Sequence, residues 1–392
     1  MNSVLTTFNF YFNTQVTFGA GCRAELPALL ERNGWRRVGL VVDHNLRAVE
    51  RVAKLIAASE AVAERVVVGW CAIAEPTYDA LEAARGQFAD HGLQAVAGIG
   101  GGSALDMAKA MAVLVHNREP AIHYRGFDRM TEPVLPIIAV PTTAGTGSEV
   151  TPNASFIDTR EQRKMGINGE SVRPRYALLD PELTLSCPLR ASVSTGVDSM
   201  VHATEAYVAK KTNPPARLFA REGFRRVFNA LPSVADAPDN LALRSEVMYG
   251  AFLAGVALMN SGTGPAAAMS YPLGVRYGVP HGIGGGIFLP SVARHNVAHG
   301  VTDYAELYQV MDGALPELSR HRQAEQYVER LMHAWQRMGV PNDLTALGVS
   351  ADGIDDFVKE TLDLQGALDQ NPVPFYADEI RATLRILMGR PA

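Results

Sequence analysis

One stretch decides how this chain folds: residues 93–103 read LQAVAGIGGGS. The apolar run at 93–99 predicts a β-strand buried on both faces, because half-exposed strands alternate apolar with polar residues. Helical spacing of apolar residues follows at 103–115, so the three glycines form the turn between strand and helix. Glycine lets the backbone approach a ligand closely, and a helix N-terminus offers free N–H groups and a positive dipole. The stretch therefore predicts a strand, a turn and a helix that can hold a phosphate, without the G-x-G-x-x-G fingerprint.

The same alternation extends on both sides of this stretch. Short apolar runs at 36–43, 65–69 and 135–140 predict further strands, and helical spacing at 46–58 and 78–91 predicts helices between them. Strands that alternate with helices of this length are typical of a parallel sheet covered by helices. The first half of the chain is therefore predicted to be an α/β domain with a parallel sheet.

The second half has a different pattern. Strand-like runs become scarce after Pro188, and segments with helical periodicity replace them at 194–209, 216–230, 241–259 and 324–338. We therefore predict an α/β N-terminal domain at 1–187, followed by an all-α C-terminal domain at 188–392.

Composition limits the classes of partner and compartment. The 392 residues are 20% charged and carry a formal net charge of -5 without long charged runs, which argues against nucleic acid or an anionic membrane as partner. The three cysteines are far apart and lack a C-x-x-C spacing, as expected for reduced thiols in a cytoplasmic protein. No apolar run approaches the roughly 20 residues of a membrane span. We therefore expect a cytoplasmic protein with a small-molecule substrate.

A second loop, residues 141–149, reads PTTAGTGSE and follows the strand predicted at 135–140. Its small hydroxyl residues suit hydrogen bonds to a pyrophosphate or ribose, and the alternative is a surface loop of ordinary turn chemistry. Ligands bind at the carboxyl ends of strands in open α/β sheets, where this loop and the glycine turn both fall. Asp43 also ends a predicted strand, so its carboxylate can bind a ribose diol, with a helix cap as the alternative.

Asp198 and His202 are four residues apart in GVDSMVHATEAY, residues 196–207. On the helix predicted there, both side chains project from one face. A carboxylate and an imidazole can take two positions of a metal site, and His281, in VPHG at 279–282, can arrive from a distant loop as a third ligand. These three residues are the predicted metal ligands.

The motifs resemble those of the iron-containing, or group III, alcohol dehydrogenase family, which has a dehydroquinate synthase-like fold. GGGSALDMAK at 100–109 and the loop at 141–149 resemble the two cofactor loops of that family, and the segments 196–207 and 271–296 resemble its metal motifs. The resemblance covers nearly the whole chain. It implies a dinucleotide domain, a helical metal and substrate domain, and NAD or NADP as cofactor with NAD favoured. It also implies a homodimer, in which an N-terminal strand at 8–18 pairs with the partner.

The resemblance assigns cofactor contacts to residues of both loops and to two residues outside them. In the first loop these are Gly101, Gly102, Ser103 and Asp106; in the second they are Thr142, Thr143 and Thr146. Outside the loops, Lys164 matches a lysine that contacts the nicotinamide ribose. Asp43 matches an acidic residue associated with a preference for NAD over its 2′-phosphorylated form.

The metal motifs match the family at three of four ligand positions. An aspartate, a histidine four residues later and a final histidine correspond to Asp198, His202 and His281. The remaining ligand is expected fourteen residues before the final histidine, where this chain has Ala267. A further histidine that usually lines the cleft is replaced by Tyr271. The resemblance thus implies Fe²⁺ or Zn²⁺ at a site that lacks one usual histidine.

These observations predict an NAD(P)-dependent alcohol dehydrogenase or aldehyde reductase. Hydride passes between nicotinamide and an alcohol or carbonyl substrate, with the divalent metal assisting, and Asp198, His202 and Tyr271 are the expected catalytic residues. One alternative is a metal-independent reductase of the same fold with Tyr271 as proton donor. Another is a sugar-phosphate lyase or cyclase of the dehydroquinate synthase type.

Overall fold

The computed structural model describes residues 7–72 and 75–390. The chain forms two compact units: one spans Phe12–Pro188, and the other combines Leu189 onwards with the N-terminal segment that ends at Tyr11.

The first unit contains the strands and four α-helices. Its strands are β1 (Gln15–Phe18), β2 (Arg37–Asp43), β3 (Arg65–Cys71), β4 (Ala95–Gly100), β5 (Gly126–Phe127), β6 (Ile137–Pro141), β7 (Asn153–Asp158), β8 (Arg163–Asn168) and β9 (Tyr176–Leu179). Its helices are α1 (Glu25–Arg32), α2 (Glu50–Val62), α3 (Tyr78–Arg85) and α4 (Gly102–Leu114). Six strands form one sheet in the order β1-β9-β6-β4-β2-β3, and every pair in it is parallel. The predicted parallel sheet is confirmed.

Strand β4 lies inside this sheet, between β6 and β2, and all six of its residues are buried. On one face, Val96 belongs to an apolar core that includes Met111 of α4. On the other face, Ile99 belongs to a core that includes Leu29 of α1. Helices therefore cover both faces, and the apolar run of this strand follows from burial on both sides. Because the sheet is parallel, the carboxyl ends of its strands share one edge.

Two predicted elements of this unit differ from the observed ones. The helix predicted at 78–91 ends at Arg85, and the helix predicted at 46–58 begins only at Glu50, after a 3₁₀ turn at His44–Leu46. The Asp43 side chain accepts a hydrogen bond from the Asn45 N–H and so begins that turn. Such a local hydrogen bond competes with the first turn of the predicted helix.

A small second sheet has the order β5-β8-β7, in which β7 and β8 form an antiparallel pair. Its strands are only two or six residues long, so no long apolar run marked them in the sequence. The N-terminal strand is also shorter than the predicted 8–18, since β1 begins at Gln15. Before it, the main chain of Tyr11 exchanges two hydrogen bonds with the Asn260 side chain.

The second unit is helical, and its described residues contain no strand. Its helices are α5 (Leu189–Val208), α6 (Pro214–Asp236), α7 (Leu241–Ser261), α8 (Pro265–Tyr277), α9 (His281–Ala298), α10 (Tyr304–Tyr308), α11 (Arg320–Met338), α12 (Ile354–Leu362), α13 (Gln365–Leu368) and α14 (Ala377–Leu387). Helix α5 packs against α6, α7 and α9, and α8 packs against α9. The predicted all-α character of this half is confirmed.

Helix α7, 21 residues long, is the one described helix that is long and apolar enough to cross a membrane. It packs extensively against α6 and α5, and most of its apolar residues are buried. A core helix of a helical domain has the same length and hydropathy, so these properties alone do not indicate a membrane span.

Candidate metal and nucleotide sites

Helix α5 carries the predicted pair of metal ligands inside the helical unit. Asp198 and His202 are each only 5% exposed, because almost every residue of the second half of α5 is buried by its neighbours. Their spacing of one turn brings Nε2 of His202 to 3.4 Å from Oδ1 of Asp198. A carboxylate buried this deeply requires a hydrogen-bonding or cationic partner.

His281 reaches the pair from the first residue of α9, and its Nε2 lies 3.9 Å from Asp198 Oδ1. The next residue, Gly282, allows this approach. A Cβ there would lie 2.1 Å from the Ser194 carbonyl oxygen and 2.7 Å from Asp198 Cβ, so a side chain would push α9 away from α5. The ligand atoms of Asp198, His202 and His281 all lie within 4.8 Å of one another. The structure thus brings together the three residues predicted as metal ligands.

The chemistry of these donors fits a divalent cation. Two imidazoles and a carboxylate are ligands that Zn²⁺ and Fe²⁺ both accept, and three protein ligands leave a position for substrate. Nδ1 of His202 is buried and has no hydrogen-bond partner among the described residues, which is unusual for a buried polar atom.

Ala267 and Tyr271 occupy the two positions where the family resemblance implies histidine. Ala267 lies in the first turn of α8, is 3% exposed and offers no ligand atom in its side chain. Tyr271 lies one turn later, and its ring packs edge-on against the His281 ring with centroids 5.0 Å apart. The aromatic ring therefore supports a predicted ligand from the side.

Two residues near this cluster were not predicted from the sequence. Glu205, which follows His202 on α5, is buried, and its carboxylate accepts hydrogen bonds from the N–H groups of Gly264, Ala266 and Ala267. It thereby caps the N-terminus of α8, where carboxylates are favoured. Burial nevertheless raises its pKa to about 7, against the lowering effect of these hydrogen bonds. The second residue is Ser270, whose Oγ lies 2.6 Å from His281 Nδ1.

In the first unit, the glycine turn predicted to hold a phosphate joins β4 to α4. Gly100 has a φ of 154°, and a Cβ there would lie 2.6 Å from Ala104 Cβ and 2.8 Å from Asp43 Cβ, so only glycine fits. Gly101 is the N-cap residue of α4 and has no side chain with which to cap the helix, so the N–H groups of the first turn suit an anion. Ser103 lies in the first turn of the same helix.

The second predicted loop packs directly on this turn. A Cβ on Gly102 would lie 2.7 Å from Thr146 Cγ2, and one on Gly101 would lie 3.3 Å from Thr143 Cγ2. In addition, the N–H of Thr142 donates to the Gly100 carbonyl oxygen over 2.9 Å. The two loops predicted to bind the cofactor therefore form one surface at the carboxyl ends of β4 and β6.

Asp43 ends β2 beside this surface, at the place where the strand order reverses. From β2 the chain continues to β3 on one side, while β4 lies on the other side. Ligands of open α/β sheets bind at such a reversal. Asp43 also caps the turn that follows, so the two interpretations of this residue are compatible.

Asp106 and Lys164 have protein partners. The Asp106 carboxylate accepts hydrogen bonds from the Ser148 hydroxyl, 2.6 Å, and the Ser155 N–H, 2.8 Å. These bonds tie α4 to the second loop and to β7, so Asp106 holds together the two loops that are predicted to bind the cofactor. Lys164 on β8 donates to Glu75 over 2.6 Å.

Comparison with known proteins identifies the family to which this chain belongs. Residues 13–181 match the profile of "Iron-containing alcohol dehydrogenase", and residues 192–388 match that of "Fe-containing alcohol dehydrogenase family, C-terminal". The chain is 29% identical to the NAD-dependent methanol dehydrogenase of Bacillus methanolicus over 91% of this chain and 93% of that protein.

Two solved structures show the same fold. The crystal structure of a 1,3-propanediol oxidoreductase superposes with a TM-score of 0.91 and 27% identity, over 97% of this chain and all of the other. A sulfoacetaldehyde reductase from Bifidobacterium kashiwanohense, solved in complex with NAD+, has a TM-score of 0.88 and 27% identity, over 98% and 99% of the two chains.

Proposed function

The chain belongs to the iron-containing alcohol dehydrogenase family and is an oxidoreductase that acts on CH–OH groups, and we propose the cofactor, the substrate class and the metal ligands that it uses. NAD is the hydride carrier, the substrate is a small alcohol or the corresponding carbonyl compound, and Asp198, His202 and His281 hold a divalent cation.

The main support for the proposal is that the ligand atoms of Asp198, His202 and His281 lie within 4.8 Å of one another inside the helical unit. Two of them come from α5 and one from α9, so the set depends on tertiary packing and not on one short motif. Buried carboxylates and imidazoles seldom gather in this way without a shared partner. Fe²⁺ and Zn²⁺ are the cations that this donor set suits.

The cofactor side rests on the surface formed by the two loops of the first unit. The N-terminus of α4, which begins after the N-cap residue Gly101, suits a diphosphate, and Gly101 and Gly102 permit close approach of the main chain. The Asp43 carboxylate can accept hydrogen bonds from a ribose diol and would repel a negatively charged 2′-phosphate, which favours NAD over NADP. One relative is named as NAD-dependent and one structural neighbour contains NAD+, which supports the same choice.

Each group has a distinct task. When bound, the divalent cation supplies a Lewis acid for the substrate oxygen, and the nicotinamide supplies hydride chemistry. Asp198 contributes the negative charge of the ligand set, while the two imidazoles contribute neutral donors. Glu205 fixes the start of α8 through three main-chain N–H groups, and that helix carries Tyr271 against His281.

A second candidate mechanism keeps hydride transfer but omits the metal. Tyr271 lies beside the proposed ligand His281, with ring centroids 5.0 Å apart, and in this mechanism its hydroxyl group would donate the proton to a carbonyl oxygen. Both matching family profiles describe alcohol dehydrogenases, which favours hydride transfer over the sugar-phosphate lyase alternative.

We also infer a homodimer. Strand β1 lies at the edge of the six-stranded sheet and pairs there with β9. An edge strand can continue its sheet by pairing with a strand of a second copy. Size-exclusion chromatography with light scattering tests this inference, and a monomer at all concentrations would contradict it.

Alcohol-dependent NADH formation tests the proposed function. A series of primary alcohols and diols, assayed with added Fe²⁺ or Zn²⁺, is expected to include substrates that reduce NAD. His202→Ala should lower kcat/KM by on the order of 10³-fold, since a Lewis acid contributes several kcal/mol. His333→Ala, which changes an exposed histidine of α11, is the control and should leave the rate unchanged. If no alcohol or aldehyde supported turnover in either direction, the proposal would be wrong.

A further inference from the structure

Ser270 forms an unusual pair of contacts beside the proposed metal site. The side chain lies on α8 and is 1% exposed. Its Oγ lies 2.6 Å from the main-chain carbonyl oxygen of Ala267 and 2.6 Å from Nδ1 of His281. One hydroxyl group therefore has two close polar neighbours and no room for competing bulk water.

The number of protons decides the direction of both hydrogen bonds. A serine hydroxyl has one proton to donate, and a carbonyl oxygen can only accept. If that proton pointed to His281, Oγ of Ser270 and the carbonyl oxygen of Ala267 would lie 2.6 Å apart with no proton between them, and the two oxygen atoms would repel each other. The Ser270 proton therefore lies toward Ala267, and Nδ1 of His281 is the donor to Ser270 Oγ.

This arrangement determines the state of the other nitrogen. An imidazole that is neutral and protonated at Nδ1 has its lone pair on Nε2. Nε2 of His281 is also the atom that lies 3.9 Å from Asp198 Oδ1, beyond hydrogen-bond length and within the cluster of ligand atoms. The opposite tautomer would place a proton where a cation requires a lone pair.

We propose that Ser270 is a positioning residue that holds His281 in its Nδ1–H tautomer, so that Nε2 is ready to ligate a divalent cation together with Asp198 and His202. This inference rests on the proposed function, because it assigns a role at the same site. Groups that orient metal-ligating histidines in this way typically change metal affinity by roughly 10- to 100-fold.

Two features of the chain make the role important. The side chain of Ala267 offers no ligand atom, so the protein supplies only three donors to the proposed metal ion. If His281 lost its lone pair at Nε2, only two protein donors would be left. In addition, a Cβ on Gly284 would lie only 3.0 Å from Ser270 Cβ, so this glycine lets α9 approach α8 closely enough for the contact with His281. Among the described residues, Nδ1 of His202 has no hydrogen-bond partner, whereas Nδ1 of His281 has Ser270.

The affinity for Zn²⁺, measured by competition with a chelator of known affinity, is the first test. Ser270→Ala is expected to weaken Zn²⁺ binding by roughly 10- to 100-fold. The control is Ser261→Ala, which removes a buried hydroxyl that donates to the Ala257 carbonyl oxygen, 2.7 Å, on another helix of the same unit. The thermal midpoints of the two metal-free variants should be similar. Wild-type Zn²⁺ affinity in the Ser270→Ala variant would overturn the proposal.

A second test reads the tautomer in the metal-free protein at a fixed alkaline pH. ¹H–¹⁵N correlation spectra of ¹⁵N-histidine-labelled protein distinguish protonated from unprotonated ring nitrogens, and His281→Gln identifies the signals of His281. We expect protonation at Nδ1 in the wild type and a shift toward Nε2 in Ser270→Ala. Predominant Nε2 protonation in the wild type would overturn the proposal even if the metal binds. If the wild type bound no Zn²⁺ or Fe²⁺, the proposed function would fail, whereas these spectra would still report the tautomer.

Discussion

Nε2 of His202 lies 3.4 Å from Oδ1 of Asp198, one turn earlier on the same helix, and both residues are 5% exposed. His281 adds a second imidazole from α9, so the ligand atoms of all three side chains lie within 4.8 Å of one another. One carboxylate and two imidazoles at this spacing suit a divalent cation, which is the reason to expect a metal ion among them.

Asp43 is expected to select NAD over NADP. Asp43→Asn keeps a side-chain oxygen that can accept from the Asn45 N–H, so the turn after β2 should remain. Removal of the charge should raise kcat/KM for NADPH relative to NADH by on the order of tenfold, which corresponds to about 1.4 kcal/mol. Steady-state kinetics with both cofactors measure this ratio. An unchanged ratio would show that Asp43 does not face the ribose.

Gly102 is expected to control cofactor affinity through the second loop. In Gly102→Ala, the new methyl group would meet Thr146 Cγ2 at 2.7 Å and separate the two loops. The KM for NAD should rise at least about tenfold, since a lost phosphate contact is worth roughly 1.5–3 kcal/mol. Gly86→Ala is the matched control, because among the described residues no atom beyond the neighbouring backbone lies within 4 Å of its Cβ position, and its φ is -58°. Equal KM values in the two variants would contradict this role.

Glu205 is expected to make stability depend on pH. Burial raises its folded-state pKa to about 7, above the ordinary 4.5, so between these values the folded protein binds more protons than the unfolded chain. Stability from this group is therefore complete below about pH 4.5 and is lost as the pH rises toward 7, by about 1.4 kcal/mol per unit. Urea unfolding of metal-free wild type and Glu205→Gln at several pH values measures the difference. Parallel pH dependences would rule out titration of Glu205 in this range.

Tyr271→Phe separates the two mechanisms. If the tyrosine supports His281 by ring packing, phenylalanine preserves the edge-on contact at 5.0 Å and turnover should stay within about threefold of wild type. If its hydroxyl group donates the proton, kcat should fall by about 10²- to 10⁴-fold. We expect the first result, and kcat of carbonyl reduction with NADH distinguishes them.

Features that depend on local interactions could be predicted from the sequence, and features that depend on long-range packing could not. The pairing of Asp198 with His202 depends on helical spacing alone, and the glycine turn at 100–102 depends on a local strand-to-helix transition, so both were predictable. The arrival of His281 was inferred from a motif, but its distance depends on how Gly282 packs against α5.

Ser270 could not be predicted, because its role arises from the packing of α9 on α8 and has no periodic signal. The small sheet of β5, β7 and β8 was missed for a related reason: its partners are short, and residues 126–127 join residues 167–168 only through long-range pairing. The cap provided by Glu205 is likewise a contact between residues 59 positions apart, since it joins Glu205 to Gly264.

The metal content of the enzyme tests the central claim most directly. The protein should be purified without a nickel-affinity step, analysed for metals by mass spectrometry, and assayed before and after exhaustive chelation. We predict about one Fe or Zn per chain, bound by Asp198, His202 and His281, with loss of activity on chelation and its recovery when Fe²⁺ or Zn²⁺ is restored. Full turnover by protein from which all metal has been removed would contradict a metal-assisted mechanism.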